Sequence, residues 1–378
     1  MKPRFIIGLF ALAVCVGYVM LTDLYGEKTP TADQPVAVEN SEDRFRDAFD
    51  MPAKMSPLAQ KRLLNGVDVA GRRAVAVGVR GHILYSDDGG KSWTQCEVPL
   101  SIDLTAVHFP TPQKGWAVGH DGTVLHSADG GITWVKQLDG RDVCRILDKY
   151  YENHPVSCKR DKAEIEKFLA EVKFLVDQGP VTPFLDVWFE NDSSGFIIGA
   201  FNLILHTEDG GKTWEPWMDK TDNPFGMHLY SIRRVGQELF ICGEQGLVMK
   251  FDHRANCFKA LQTPYVGTYF GILGTPKNAV IAFGMRGNIY RSSDGGATWT
   301  QIESGIKFGI MGGKVMENGA IVLVSQGGNV LLSKNDGMSF SEVQRERGGG
   351  IPLQTVAALD AETLIVAGML GVDVQKIQ

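Results

Sequence analysis

A short apolar run ending in glycine, two further residues, a second glycine and then a polar and apolar alternation recurs seven times along this chain. It reads AVAVGVRGHILYS from Ala74, WAVGHDGTVLHS from Trp116, FIIGAFNLILHT from Phe196 and FICGEQGLVMKF from Phe240. It continues as IAFGMRGNIYRS from Ile281, IVLVSQGGNVLLS from Ile321 and LIVAGMLGVDVQK from Leu364. The leading position falls at Gly78, Gly119, Gly199, Gly243, Gly284, Ser325 and Gly368, giving steps of 41, 80, 44, 41, 41 and 43 residues. A period near 41 is that of a repeat architecture, in which each unit buries its apolar face only against its neighbours.

Within one unit the pattern is that of short strands. In the second, LTAVHF from Leu104, GWAVGH from Gly115, TVLHS from Thr123 and TWVKQ from Thr133 are rich in Val, Trp and Thr and are separated by Pro, Gly and Asp clusters. Four short antiparallel strands per 41 residues is the spacing of a propeller blade. The chain is therefore expected to be an all-β, seven-bladed propeller over residues 61–378. The last unit shows only three strands, and an open edge must be covered; the stretch PVAVE at 35–39 is the candidate for the missing fourth.

The step of 80 residues is one period too long. Inside it Val143, Ile146, Leu147, Tyr150 and Tyr151 follow helical spacing, as do Ile165, Phe168, Leu169, Val172 and Val176. Asp161 followed by Glu164 reads as a helix start. Residues 141–180 are expected to form a helical hairpin inserted between blades 2 and 3.

A second phrase follows the first in most units: SDDGGKSW at 86–93, SADGGITW at 127–134, TEDGGKTW at 207–214 and SSDGGATW at 292–299, with a weaker SKNDGMSF at 333–340. A decayed copy, FDHRANCF at 251–258, keeps the length but not the Asp. Its residues resemble the Asp-box of bacterial neuraminidase repeats. Chemically they suit a hairpin turn, in which the carboxylate accepts local N–H groups, glycine takes positive φ and the Trp ring is buried. Asp88 with Trp93, Asp129 with Trp134, Asp209 with Trp214, Asp294 with Trp299 and Asn335 with Phe340 are thus read as structural. A calcium loop would need further carboxylates and a distal Glu, so no metal and no cofactor is expected.

A net charge of −6 and a pI near 5.8 argue against a nucleic-acid surface. Lys2 and Arg4 precede an uncharged run from 5 to 21, which reads as an export signal, cleaved or retained as an anchor within residues 1–26. Leu12, Ala13 and Val14 make a poor lipidation box for Cys15. Residues 27–60 are polar, a tether that places the propeller in the periplasm, anchored to the cytoplasmic membrane or exported. Among the remaining cysteines, Cys144 and Cys158 are the pair expected to staple the insertion.

From about residue 62 to the C-terminus, GVRGHILYSDDGGKSW, GMRGNIYRSSDGGATW and the GWAVG run at Gly115 resemble the photosystem II stability and assembly factor family. That resemblance implies an Asp-box propeller outside the membrane that helps to assemble a membrane complex and catalyses nothing. The helical insertion, the decayed fourth unit and the atypical sixth depart from the family pattern and leave the partner open; the oligomeric state is open as well. A glycan-binding or glycan-hydrolysing propeller is the alternative; it needs two facing carboxylates, for which Asp103, Asp121 and Asp186 are the candidates. For a membrane protein partner, the working face is expected where second strands turn into third strands, carrying Arg80, Asp121, Phe201, Gln245, Arg286 and Leu370. Asp103, Phe184, His228 and Tyr269, at the starts of inner strands, are expected beside them at the pore.

Overall fold

In the second unit the strands run Leu104–His108, Gly115–Gly119, Val124–Ser127 and Val135–Leu138, paired antiparallel in chain order. The computed structural model describes residues 47–158, 161–345 and 349–377. In them this unit is repeated as seven sheets, six of four strands and one of three. The first strands of successive blades lie against each other around the ring, and that of blade 7 (Leu353–Ala358) meets that of blade 1 (Leu64–Ala70). The protein is the expected seven-bladed propeller. Blade 7 has three strands among the described residues, Leu353–Ala358, Thr363–Gly368 and Gly371–Lys376; the segment 35–39 lies outside them, as do the export signal and most of the tether.

The glycine phrase has a steric cause. A Cβ on Gly119 would be driven into the carbonyl oxygen of Asp103, because the second strand ends where the chain enters the first. The following turn needs two consecutive left-handed residues, Asp121 (φ 53) and Gly122 (φ 63) in blade 2. In blade 3 that pair is Phe201 (φ 54) and Asn202 (φ 61), and Asn is a residue that tolerates this region. The second strands of blades 2, 3 and 5 are wholly buried, and blades join through large apolar contacts. Trp116 of blade 2 stacks on Phe189 of blade 3 at 3.6 Å between ring centroids, and burial of such a ring contributes about 2–3 kcal/mol.

Each Asp-box closes a turn between third and fourth strands. In blade 1 the Gly90 and Ser92 N–H groups donate to Ser86 Oγ and Asp88 Oδ1, both at 2.9 Å, and Trp93 Nε1 donates to the Gly90 carbonyl at 3.1 Å. The same set recurs around Asp129 and Asp294, with Trp134 and Trp299. Asn335 keeps the pattern: its Oδ1 accepts from Ser339 N–H, while its Nδ2 donates to Ser339 Oγ.

The insertion consists of helix α1 (Gly140–Asn153) and helix α2 (Lys162–Gln178). Asp139 and Asp142 form a reciprocal cap on α1, and Asp161 accepts from Glu164 N–H at the start of α2. Val143, Leu147 and Tyr151 of α1 and Phe168, Val172 and Leu175 of α2 are buried in one cluster with blades 2 to 4. Tyr151 Oη donates to Asp219 at 2.9 Å, fixing α1 to the end of blade 3.

The expected pairing of Cys144 with Cys158 is not formed. Cys158 is joined to Cys257 of the outer strand of blade 4, 99 residues on, and Cys144 is free. Cys144 lies on the α1 side turned toward Gly179 and Pro180. Cys158 lies beyond the end of α1, where Asp219 accepts the Ser157 N–H at 2.7 Å and holds the segment beside blade 4.

Candidate partner-binding face

The start of each inner strand pairs with the end of the next, as Tyr269 with Gly284. Interblade connections and second-to-third turns therefore share one end of the ring, together with the insertion, and the Asp-boxes occupy the other. Arg80, Asp121, Phe201, Gln245 and Arg286 all lie in these turns with φ between 52° and 58°. The turn itself imposes this conformation, which holds each side chain at the tip. Arg80, Phe201, Gln245 and Arg286 are exposed.

Phe201 and His228, on the neighbouring blades 3 and 4, are drawn together. The Phe201 N–H donates to His228 Nδ1 at 3.0 Å, and the rings meet edge to face at 4.6 Å. His228 continues to Tyr230 and Tyr230 to Phe270, so aromatic contacts link blades 3, 4 and 5. Glu244 lies 3.6 Å from His228 and accepts from its backbone N–H. Burial and Glu244 push the Tyr230 phenol up to about 12, which keeps it a neutral hydrogen-bonding group. Burial also raises the Asp121 carboxyl, with Asp47 and Asp103 adding to it.

Tyr269 and Phe184 do not reach this face. Both are fully buried between blades, because the strand starts at them and the next side chain, Phe270 or Leu185, turns toward the axis; a one-residue shift inverts a strand's faces. The Asp103 carboxylate accepts the Arg80 N–H at 2.7 Å. Asp186 is buried, and its Oδ2 accepts from Ile232 N–H (2.9 Å) and from Arg233 (2.5 Å), which ties it to the neighbouring blade.

Beside Phe201 a groove of about 720 Å³ runs between α2 and the connection from blade 3 to blade 4. Phe174, Phe201 and Phe225 are exposed along it. Lys167 crosses it, donating to the Pro224 carbonyl at 3.0 Å and lying over the Phe225 ring. Asn202, Thr221 and Asn223 form its buried polar floor, with Asn202 Oδ1 accepting from both others at 3.0 Å. The α2 spacing predicted a helix, but nothing local in sequence announced this groove.

Residues 90–148 and 169–368 match the profile of the Photosynthesis system II assembly factor YCF48 family, and residues 84–95 match the BNR/Asp-box repeat. The chain belongs to the YCF48 family. The family match is interrupted from 149 to 168, within the insertion. Among curated relatives, the Photosystem II assembly lipoprotein Ycf48 of Synechococcus sp. (strain CC9902) is 29% identical over 163 residues, 43% of this chain and 49% of that one. The chloroplastic photosystem II stability/assembly factor HCF136 of Oryza sativa subsp. japonica is 28% identical over 130 residues, 33% of this chain and 31% of that one. The matched segments thus span about half or less of these relatives. A solved YCF48 bound to a D1 peptide superposes with a TM-score of 0.61 at 15% identity, covering 86% of this chain and 98% of that one. At that identity the likeness to the solved YCF48 is one of fold. No helix among the described residues is long and apolar enough to cross a membrane.

Proposed function

We propose that this chain is an exported, non-catalytic member of the YCF48 family that assists assembly of a membrane protein complex, working on the periplasmic side of the cytoplasmic membrane. It holds an exposed segment of its partner on the insertion-bearing face. The observation that carries this reading is the aromatic chain from Phe201 through His228 and Tyr230 to Phe270 at the pore mouth, beside the groove under α2. Clustered aromatic groups with a polar handle are the usual anchors of protein recognition. Family membership and a solved YCF48 bound to a D1 peptide support the same class of partner.

Crosslinking in intact membranes tests this. The full-length chain is expected to recover a membrane protein, and a Phe201→Ser, His228→Ala chain to lose most of it while keeping its melting temperature. Loss of recovery on deleting residues 141–178 assigns the insertion to the interface. Recovery of no membrane protein by the unaltered chain overturns the reading.

A further inference from the structure

The chemistry of this face changes around the ring. From blade 1 to blade 4 it carries charges of both signs: Arg80, Asp103, Asp121 and Glu244 in the turns and connections, and on α2 Lys162, Lys167 and Lys173 beside Glu166, Glu171 and Asp177. From blade 5 to blade 7 the loop tips are apolar: Val266 before blade 5 is 86% exposed, Phe308 before blade 6 is 56% exposed and Leu370 in the blade 7 turn is 60% exposed. Met285 and Met369 are exposed beside them. Among the described residues, the charged side chains of this sector that are exposed at the tips are Arg286 and Lys307, with Arg345 half-buried. Among the described residues of these connections and turns the one acid is Glu303, at the outer end of its loop.

These apolar groups are held out, not merely left out. The Phe308 ring rests over Gly327, where any Cβ would collide with it. Arg286 sits in the left-handed region, φ 58°, at the tip of its turn. Exposed apolar side chains on separate rigid tips, interspersed with cations, match the interface of a bilayer, where apolar tips enter the acyl boundary and cations meet headgroups.

We propose that the blade 5 to 7 sector of this face docks on an anionic lipid surface, with Val266, Phe308 and Leu370 entering the interface and Arg286 and Lys307 at the phosphates. This rests on the proposed function only in taking the propeller to work beside a membrane. The charged sector bearing the insertion is left for the protein partner.

The test uses the full-length chain in vesicles of phosphatidylcholine and phosphatidylglycerol with a quencher on the acyl chains. An environment-sensitive fluorophore is attached at Val266→Cys or Phe308→Cys, and at Met338→Cys on the opposite face as control, all in a Cys15→Ser, Cys144→Ser background. Probes at 266 and 308 are expected to be quenched and that at 338 not. Replacing phosphatidylglycerol by phosphatidylcholine, or introducing Arg286→Glu with Lys307→Glu, is expected to reduce the docked fraction by about five-fold per cation removed. Equal brightness at 266, 308 and 338 overturns the proposal. So does protection at 266 and 308 that appears only when the recovered membrane protein is added, which assigns the sector to protein. Neither result alters the crosslinking outcome for Phe201 and His228.

Discussion

Lys314, on the inner strand of blade 6, places its ammonium 3.0 Å from the carboxylate of Asp68 on the inner strand of blade 1. Blade 7 stands between these two blades in the ring, so the pair spans the seam where blade 7 closes on blade 1. Asp68 is buried and also accepts from the Phe109 N–H at 2.9 Å, with His108 at 3.3 Å. Burial pushes its carboxyl up, but Lys314 and His108 outweigh that and hold it well below the usual carboxylate range.

Removing the ammonium leaves a buried carboxylate under-compensated. Lys314→Met is expected to lower unfolding stability by about 1–3 kcal/mol, less than for a fully buried pair because the Lys is partly solvated. Adding Asp68→Asn should recover part of the loss. Urea unfolding of the single and double variants measures it, and an unchanged midpoint for Lys314→Met contradicts the assigned role.

The Asp-boxes make stability depend on acid. Hydrogen bonds from Ser92 hold the Asp88 carboxyl at about 2, and those from Thr298 do the same for Asp294, against an ordinary value of 3.8. A carboxyl lowered on folding adds stability that is present above its unfolded value and is lost as pH falls through the folded one. Melting temperature is therefore expected to fall between about pH 4 and pH 2, and less steeply in an Asp88→Asn, Asp294→Asn chain. Asn335 already supports the same turn, so that chain should fold normally at neutral pH.

Asp129→Ala removes the acceptor of the Thr133 N–H and hydroxyl. A loss of about 1–3 kcal/mol is expected by calorimetry, with recovery of the membrane partner unchanged. Loss of recovery at unchanged stability would mean that the Asp-box itself is functional.

The Cys158–Cys257 bridge closes a 99-residue separation and ties the insertion to blade 4. Cys257→Ser is expected to cost about 2–4 kcal/mol in oxidising buffer, whereas Cys144→Ser should cost little and leave the bridge intact. Peptide mapping without reductant identifies the linked cysteines directly.

Much of the molecule is readable from the repeat because its constraints are local. Gly119 is needed where its own second strand crowds its own first, and Asn202 can replace glycine because both residues of the turn are left-handed. The face that gathers Arg80, Asp121, Phe201, Gln245 and Arg286 follows from the same turn geometry. Tyr269 was misplaced by one residue because alternation shows that neighbours face opposite ways without showing which one faces the pore.

The sequence alone determined the number of blades, the turns that carry the Asp-boxes and the place where the repeat is interrupted, since period, turn chemistry and helical spacing act within one unit. Tertiary structure decided what meets across units: Cys158 with Cys257, Lys314 with Asp68, and the groove between α2 and residues 221–226. Those contacts depend on how seven units close into a ring and how the inserted hairpin folds back on it. No local spacing encodes that closure.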